Sequence, residues 1–299
     1  TGGFLATDPF SPTRLYAAGL NRVTIYENQV EVGYATLTDT VPSWCSDCTN
    51  PAGVISIAAD PVIPGRLIAS LTYDSTLLPR PSDRGGFFIS EDYGLSWLAH
   101  ESDIYRVAQN KIVFSPSDPT IVYAAGSPGI YKSVDSGLTW ETITPPGLED
   151  FWFYSLAVNP QNPDIVITAQ WEGLYRTLDG GQTWEVIFTI GWGNLVYMPS
   201  NPPVLYFGAD GGNGLWQSFD DGTTWSSAAS SLEALPVTPL LGVTDGERAI
   251  LYINTPGGFG STATTSSTTW ASTTLVNSGV YRMVTRLPDH WVYLPVVVK

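Results

Sequence analysis

Short apolar runs recur in pairs along the 299-residue chain, each pair separated by a turn rich in Asp, Asn or Pro. Phe4–Thr7 leads through Asp8 and Pro9 to Arg14–Ala18. Ile55–Ala58 leads through Asp60 and Pro61 to Arg66–Ala69. The pattern returns as Ile112–Phe114 with Ile121–Ala124, and as Leu156–Val158 with Ile165–Thr168. It ends as Leu195–Pro199 with Val204–Phe207, and as Leu240–Val243 with Ile250–Ile253. Short runs of β-branched and aromatic residues bounded by turn formers read as strands. No window carries capped helical periodicity. The pattern therefore predicts an all-β chain built from six strand–turn–strand units.

A second motif follows the middle units, Ser/Thr-x-Asp-x-Gly-x-x-Trp. It comprises Ser90, Asp92, Gly94 and Trp97, then Ser133, Asp135, Gly137 and Trp140. Thr177, Asp179, Gly181 and Trp184 follow, then Ser218, Asp220, Gly222 and Trp225. The repeat length of about 40–45 residues is that of a four-stranded propeller blade. The end units carry degenerate copies. In the first, Val23–Tyr26 takes the strand position and Glu27-Asn28 opens the turn. In the last, Gly279–Arg282 aligns with Gly173–Arg176, and Trp291 falls one residue after the motif's Trp position. A rival frame takes Ser267–Trp270 as the last motif and leaves 271–299 as an incomplete seventh blade.

These motifs resemble the Asp-box (BNR-repeat) β-propellers, a group that includes sialidases, xyloglucan-active glycoside hydrolases, sortilin-type receptors and a photosystem II assembly factor. The resemblance covers nearly the whole chain. It implies a single β-propeller over 1–299 with six four-stranded blades, near 1–38, 53–100, 104–145, 151–190, 192–232 and 237–299; seven blades is the alternative. It also implies that the box is a structural turn. Its Asp and Ser bond the backbone, its Gly takes a positive φ, and its Trp packs between blades. Asp92, Asp135, Asp179 and Asp220 are thus expected to be neither catalysts nor metal ligands.

Composition narrows the classes of function. The formal net charge is −15, with 13 basic residues against 28 acidic ones. Nucleic-acid binding needs cations to displace phosphate counterions, and anionic membrane surfaces repel the same charge. Neither partner is expected, and no apolar stretch is long enough to insert in a membrane. Solubility is the simplest role for the acidity. Cys45 and Cys48 lie outside any βαβ context and far from His100 and His290. A local disulfide in an oxidising compartment is therefore preferred over a redox or zinc site. The chain opens at Thr1, without Met, as expected after removal of an export signal or trimming. A secreted or cell-surface protein is the expectation.

With strands A to D antiparallel in each blade, the A–B and C–D turns share one face, and the B–C and D–A connections share the other. All long insertions fall in the second set, including 38–52, 74–85, 145–152 and 256–277. Loops on a rigid scaffold carry function, so a glycan or protein partner is expected there. Trp152, Phe153, Trp171 and Trp192 are the ligand-binding candidates, as aromatic rings for stacking or anchoring; mutual loop packing is the competing role. Asp74, Asp83, Asp103, Glu149, Asp150, Glu172 and Asp210 supply carboxylates to the same face. A glycosidase needs two of them roughly 5–10 Å apart. Arg80, Arg84 and Arg106 also lie in these loops, but the early Arg-Ile-Pro-type motif of sialidases is absent. No cofactor is expected; a structural calcium at Asp210–Asn213 is the alternative.

Three functions follow. The first is a non-catalytic extracellular binding module or a subunit of a surface assembly, with Trp291–Lys299 as an edge strand able to pair with another copy in a homo-oligomer or filament. The second is a glycoside hydrolase of sialidase or xyloglucanase type. The third is an assembly factor resembling the photosystem one. The sequence leans away from an enzyme.

Overall fold

The computed structural model describes residues 5–19, 22–37, 51–73, 85–100, 108–149, 151–190, 192–209, 213–228, 237–245, 248–255, 279–286 and 290–293. Every described regular element is a β-strand. The strands form six four-stranded antiparallel sheets, each made of four consecutive strands.

The first sheet holds β1 (Leu5–Asp8), β2 (Ser11–Ala18), β3 (Arg22–Glu27) and β4 (Val30–Thr36). The second holds β5 (Pro51–Ala59), β6 (Leu67–Tyr73), β7 (Gly85–Ser90) and β8 (Leu98–Ala99). The third holds β9 (Ala108–Phe114), β10 (Val122–Ser127), β11 (Gly129–Ser133) and β12 (Glu141–Thr142). The fourth holds β13 (Phe153–Val158), β14 (Val166–Gln170), β15 (Gly173–Thr177) and β16 (Glu185–Phe188). The fifth holds β17 (Gly193–Met198), β18 (Val204–Ala209), β19 (Leu215–Ser218) and β20 (Ser226–Ser227). The sixth holds β21 (Thr238–Asp245), β22 (Arg248–Thr255), β23 (Gly279–Arg286) and β24 (His290–Tyr293). The degenerate end repeats thus supply strands where their aligned residues place them. Trp291 lies on β24.

The first strands β5, β9, β13, β17 and β21 pack against one another in succession. Sheets then stack face to face, so the core is a series of layers between sheets. The second strands β10, β14 and β18 are buried along their whole length, as strands covered on both faces must be. β2 alternates instead between buried and partly exposed positions toward its end. Tyr16 and Ala18 point into the layer shared with Val54, Ile57 and Leu67, while Leu5 and Tyr34 stay exposed.

In the second, third and fourth sheets the two turns at one end lie side by side. The N–H of Tyr93 donates to the Gly65 carbonyl, that of Ser136 to Thr120, and that of Gly180 to Asp164. The short turns therefore share one end of the sheet stack, here the turn face. The opposite end, the loop face, carries the longer connections.

Candidate functional site

The turn face is saturated by its own hydrogen bonds. In the fourth sheet the Gly181 N–H donates to Thr177 Oγ1 (2.9 Å), and Thr177 Oγ1 donates to Asp179 Oδ1 (2.7 Å). The backbone and hydroxyl of Thr183 complete the carboxylate at 2.9 and 2.6 Å. These bonds hold the Asp179 carboxyl down at about 2, with the Thr183 hydroxyl contributing most. Ser90 with Asp92, Ser133 with Asp135 and Ser218 with Asp220 repeat the arrangement. Both oxygens of every such Asp are occupied locally. The motif tryptophans seal the layers between sheets. Trp97 is buried, Trp140 stacks on Phe87 at 4.6 Å, and Trp184 donates to the Ile143 carbonyl of the preceding sheet.

The loop face differs at the start of β13. The β13–β14 register shifts between Phe153 and Ser155, and this bulge re-aims the side chains around it. Phe153 turns inward and is fully buried with Tyr123, Ile130 and Leu156. It is therefore core, which removes it from the surface group that the sequence suggested. Tyr154 turns the other way and stacks on Trp192, with centroids 5.0 Å apart and planes 8° apart. Trp171, in the two-residue β14–β15 turn, meets Trp192 edge-on at 4.9 Å and 62°. The turn is braced by the Glu172 N–H donating to Gln170 Oε1 (2.7 Å).

Trp171 is 61% exposed, Trp192 43% and Trp152 42%. The structure thus joins Trp171 and Trp192 and adds Tyr154, which the sequence reading missed. The signal for it was the unbroken aromatic run Phe151–Tyr154. Trp152 stands exposed nearby in the chain but makes no ring contact with the other three among the described residues. Beside Trp171, Gln170 is buried and its Nε2 has no hydrogen-bond partner. The exposed Glu172 adds its charge to burial in raising the Tyr175 hydroxyl pKa. Glu149 accepts the Gly147 N–H at 3.0 Å, and this bond lowers its carboxyl pKa. The result is an exposed aromatic surface with Glu172 beside Trp171 in the chain, suited to stacking on a flat, hydroxylated ligand. Cys45, Cys48, Asp74, Asp83, Asp103, Asp150, Asp210, Arg80, Arg84 and Arg106 lie outside the described residues.

No family model matches the chain. A xyloglucanase from Paenibacillus sp is 33% identical over 192 residues, which is 59% of this chain and 15% of that protein. Among solved structures, an ancestral GH74 enzyme superposes with a TM-score of 0.63 at 17% identity. That match covers 94% of this chain and 39% of the enzyme. The GH74 xyloglucanase from Xanthomonas campestris gives 0.63 at 14% identity, over 98% and 45%. YCF48 bound to D1 peptide gives 0.55 at 14% identity, over 85% and 77%. The chain spans less than half the length of the xyloglucanases it matches. With four-stranded antiparallel sheets throughout and propellers as its structural neighbours, this chain has the β-propeller fold.

Proposed function

We propose that this chain is an exported, six-bladed Asp-box propeller of xyloglucanase type that acts on an extracellular polysaccharide, with Tyr154, Trp171 and Trp192 as the surface on which the glycan lies. The observation that carries this reading is the 33% identity to a xyloglucanase over 192 residues. The ring cluster supports it, because exposed aromatic faces stack on the apolar faces of sugar rings while the hydroxyls stay in water. Loop-face carboxylates, Glu172 among them, are the pool from which a glycosidase draws its acid and its base or nucleophile.

The test is soluble xyloglucan in affinity electrophoresis, paired with an assay of reducing ends. The protein is expected to be retarded and to release reducing ends. Trp171→Ala and Trp192→Ala are each expected to weaken binding tenfold or more, about 1.4 kcal/mol. No retardation at all would sink the reading. Retardation without new reducing ends would favour the second reading, a non-catalytic binding module. Its specific support is the match to a propeller of similar size, 77% of which is covered, solved bound to a peptide.

A further inference from the structure

The hydrogen bonds of the four boxes use the Ser or Thr, the Asp and the Gly. They leave the residue between the Ser or Thr and the Asp with its side chain in water. That residue is Glu91 in the second sheet, but Val134, Leu178 and Phe219 in the next three. These three are 61%, 53% and 53% exposed. Leu95 and Leu138, one residue after the box Gly, are exposed as well. A polar residue serves the turn equally, as Glu91 demonstrates, so turn chemistry does not account for an arc of apolar tips. Exposed apolar side chains gathered on one face, rather than scattered singly, are a feature of interaction surfaces. Beside the second sheet's box, a hollow of about 400 Å³ lined by Arg14, Val32, Tyr93 and Leu95 adds a recess to the same side.

The arc is also acidic. Each apolar tip is followed by its box Asp. The nearby cations are consumed within the sheets. Arg66 faces Asp60 at 3.7 Å, Lys132 faces Asp164 at 3.7 Å, and Arg176 binds Glu185 at 2.7 Å. Two of them also lock neighbouring boxes in place. Lys132 donates to the Gly180 carbonyl (3.3 Å), and Arg176 Nη1 donates to the Asp221 carbonyl (2.9 Å) and to Thr223 Oγ1 (2.8 Å). The face is therefore a preformed array of alternating apolar and negative groups.

We propose that the turn face is a docking surface for a partner protein whose own surface interleaves Lys or Arg with apolar side chains. Charge complementarity chooses this occupant. A second copy of the chain would oppose carboxylate to carboxylate across the seam, and like charges brought together are repelled. A basic partner is instead steered in by the field of a chain with net charge −15.

The probe is a synthetic peptide alternating pairs of Lys and Leu, with a Lys-only peptide and a Glu/Leu peptide as controls. Binding is read by calorimetry at low and high salt. The variant is Val134→Ser, Leu178→Ser, Phe219→Ser combined, which leaves the charge unchanged; thermal melting checks that it folds. The Lys/Leu peptide is expected to bind, more weakly at high salt, and at least tenfold more weakly to the triple variant. The Glu/Leu peptide is expected not to bind. Failure of the Lys/Leu peptide to bind overturns the proposal. So does equal affinity for the triple variant, or equal affinity for the Lys-only peptide, since either reduces the effect to general attraction. Concentration-dependent dimers that vanish in the triple variant also overturn it, because the occupant is then a second copy. The tested residues lie on the face opposite the aromatic cluster, so a failure here and a failure on xyloglucan are independent results.

Discussion

Two glycines separate the two ends of this propeller. Gly181, in the fourth sheet's box, and Gly147, in the loop before β13, both have positive φ, +101° and +86°. A Cβ on Gly181 would meet the Ile143 Cβ at 2.7 Å, whereas a Cβ on Gly147 would meet nothing within 4 Å. The turn face is packed and hydrogen-bonded from sheet to sheet. The loop face is held by the bulge at Tyr154 and by ring contacts; its backbone is open at Gly147 but closely met at Gly129, Gly173 and Gly193. Repeated turn chemistry is confined to the first end, and variety of length and sequence to the second. The same division explains why the glycan reading belongs to the loops, and why the apolar tips of the turns call for a separate explanation.

The largest test of this contrast exchanges the same residue at both ends. Gly147→Ala carries the left-handed backbone penalty alone, about 1 kcal/mol. Gly181→Ala carries that penalty plus an overlap in a packed layer, together about 2–4 kcal/mol. Thermal melts of the two variants should therefore separate clearly. Equal falls in Tm would mean that the two positions are equally compliant.

The boxes were legible in the sequence because their bonds are local. The Gly94 N–H reaches Ser90 Oγ four residues back, and Asp92 reaches Ser96 four residues ahead, so motif and geometry coincide. The first sheet lacks the motif, yet its β3–β4 turn forms at Glu27-Asn28 with Asn28 and Gln29 at positive φ. The aromatic site was only half legible. Side-chain alternation decides which rings face out, and a one-residue bulge reverses it; nothing in Trp152-Phe153-Tyr154 announces where the bulge sits. The lateral ties were harder still. Arg176 reaches a carbonyl 45 residues away, although the repeated Tyr131-Lys132 and Tyr175-Arg176 pairs ahead of the boxes were their visible trace.

Acid sharpens the contrast at a smaller scale. The Asp179 carboxyl is held at about 2, mainly by the Thr183 hydroxyl, against an ordinary 3.8. Asp92, Asp135 and Asp220 are also lowered; burial acts upward there, and the hydrogen bonds outweigh it. A depressed folded pKa contributes stability that is present above the unfolded value and is lost as pH falls through the folded one. Melting temperature should therefore decline between about pH 4 and 2. Asp179→Asn should lower it at pH 6 and flatten part of that decline. A decline of unchanged steepness would place the acid sensitivity elsewhere.

The smallest effect on stability is expected where the effect on binding is largest. Trp171→Ala removes an exposed ring and one edge contact with Trp192, worth about 0.5–1.5 kcal/mol. Part of that loss is offset by removing apolar surface from water, so the net change should be under about 1 kcal/mol. The β14–β15 turn keeps its brace, because the Glu172 N–H still donates to Gln170. A melt close to that of the parent, together with a tenfold loss on xyloglucan, would identify Trp171 as a ring held out for a ligand. A large fall in Tm would make the Tyr154–Trp192–Trp171 cluster a clamp that packs the loops together, and the aromatic surface would then be scaffold in the same sense as the boxes.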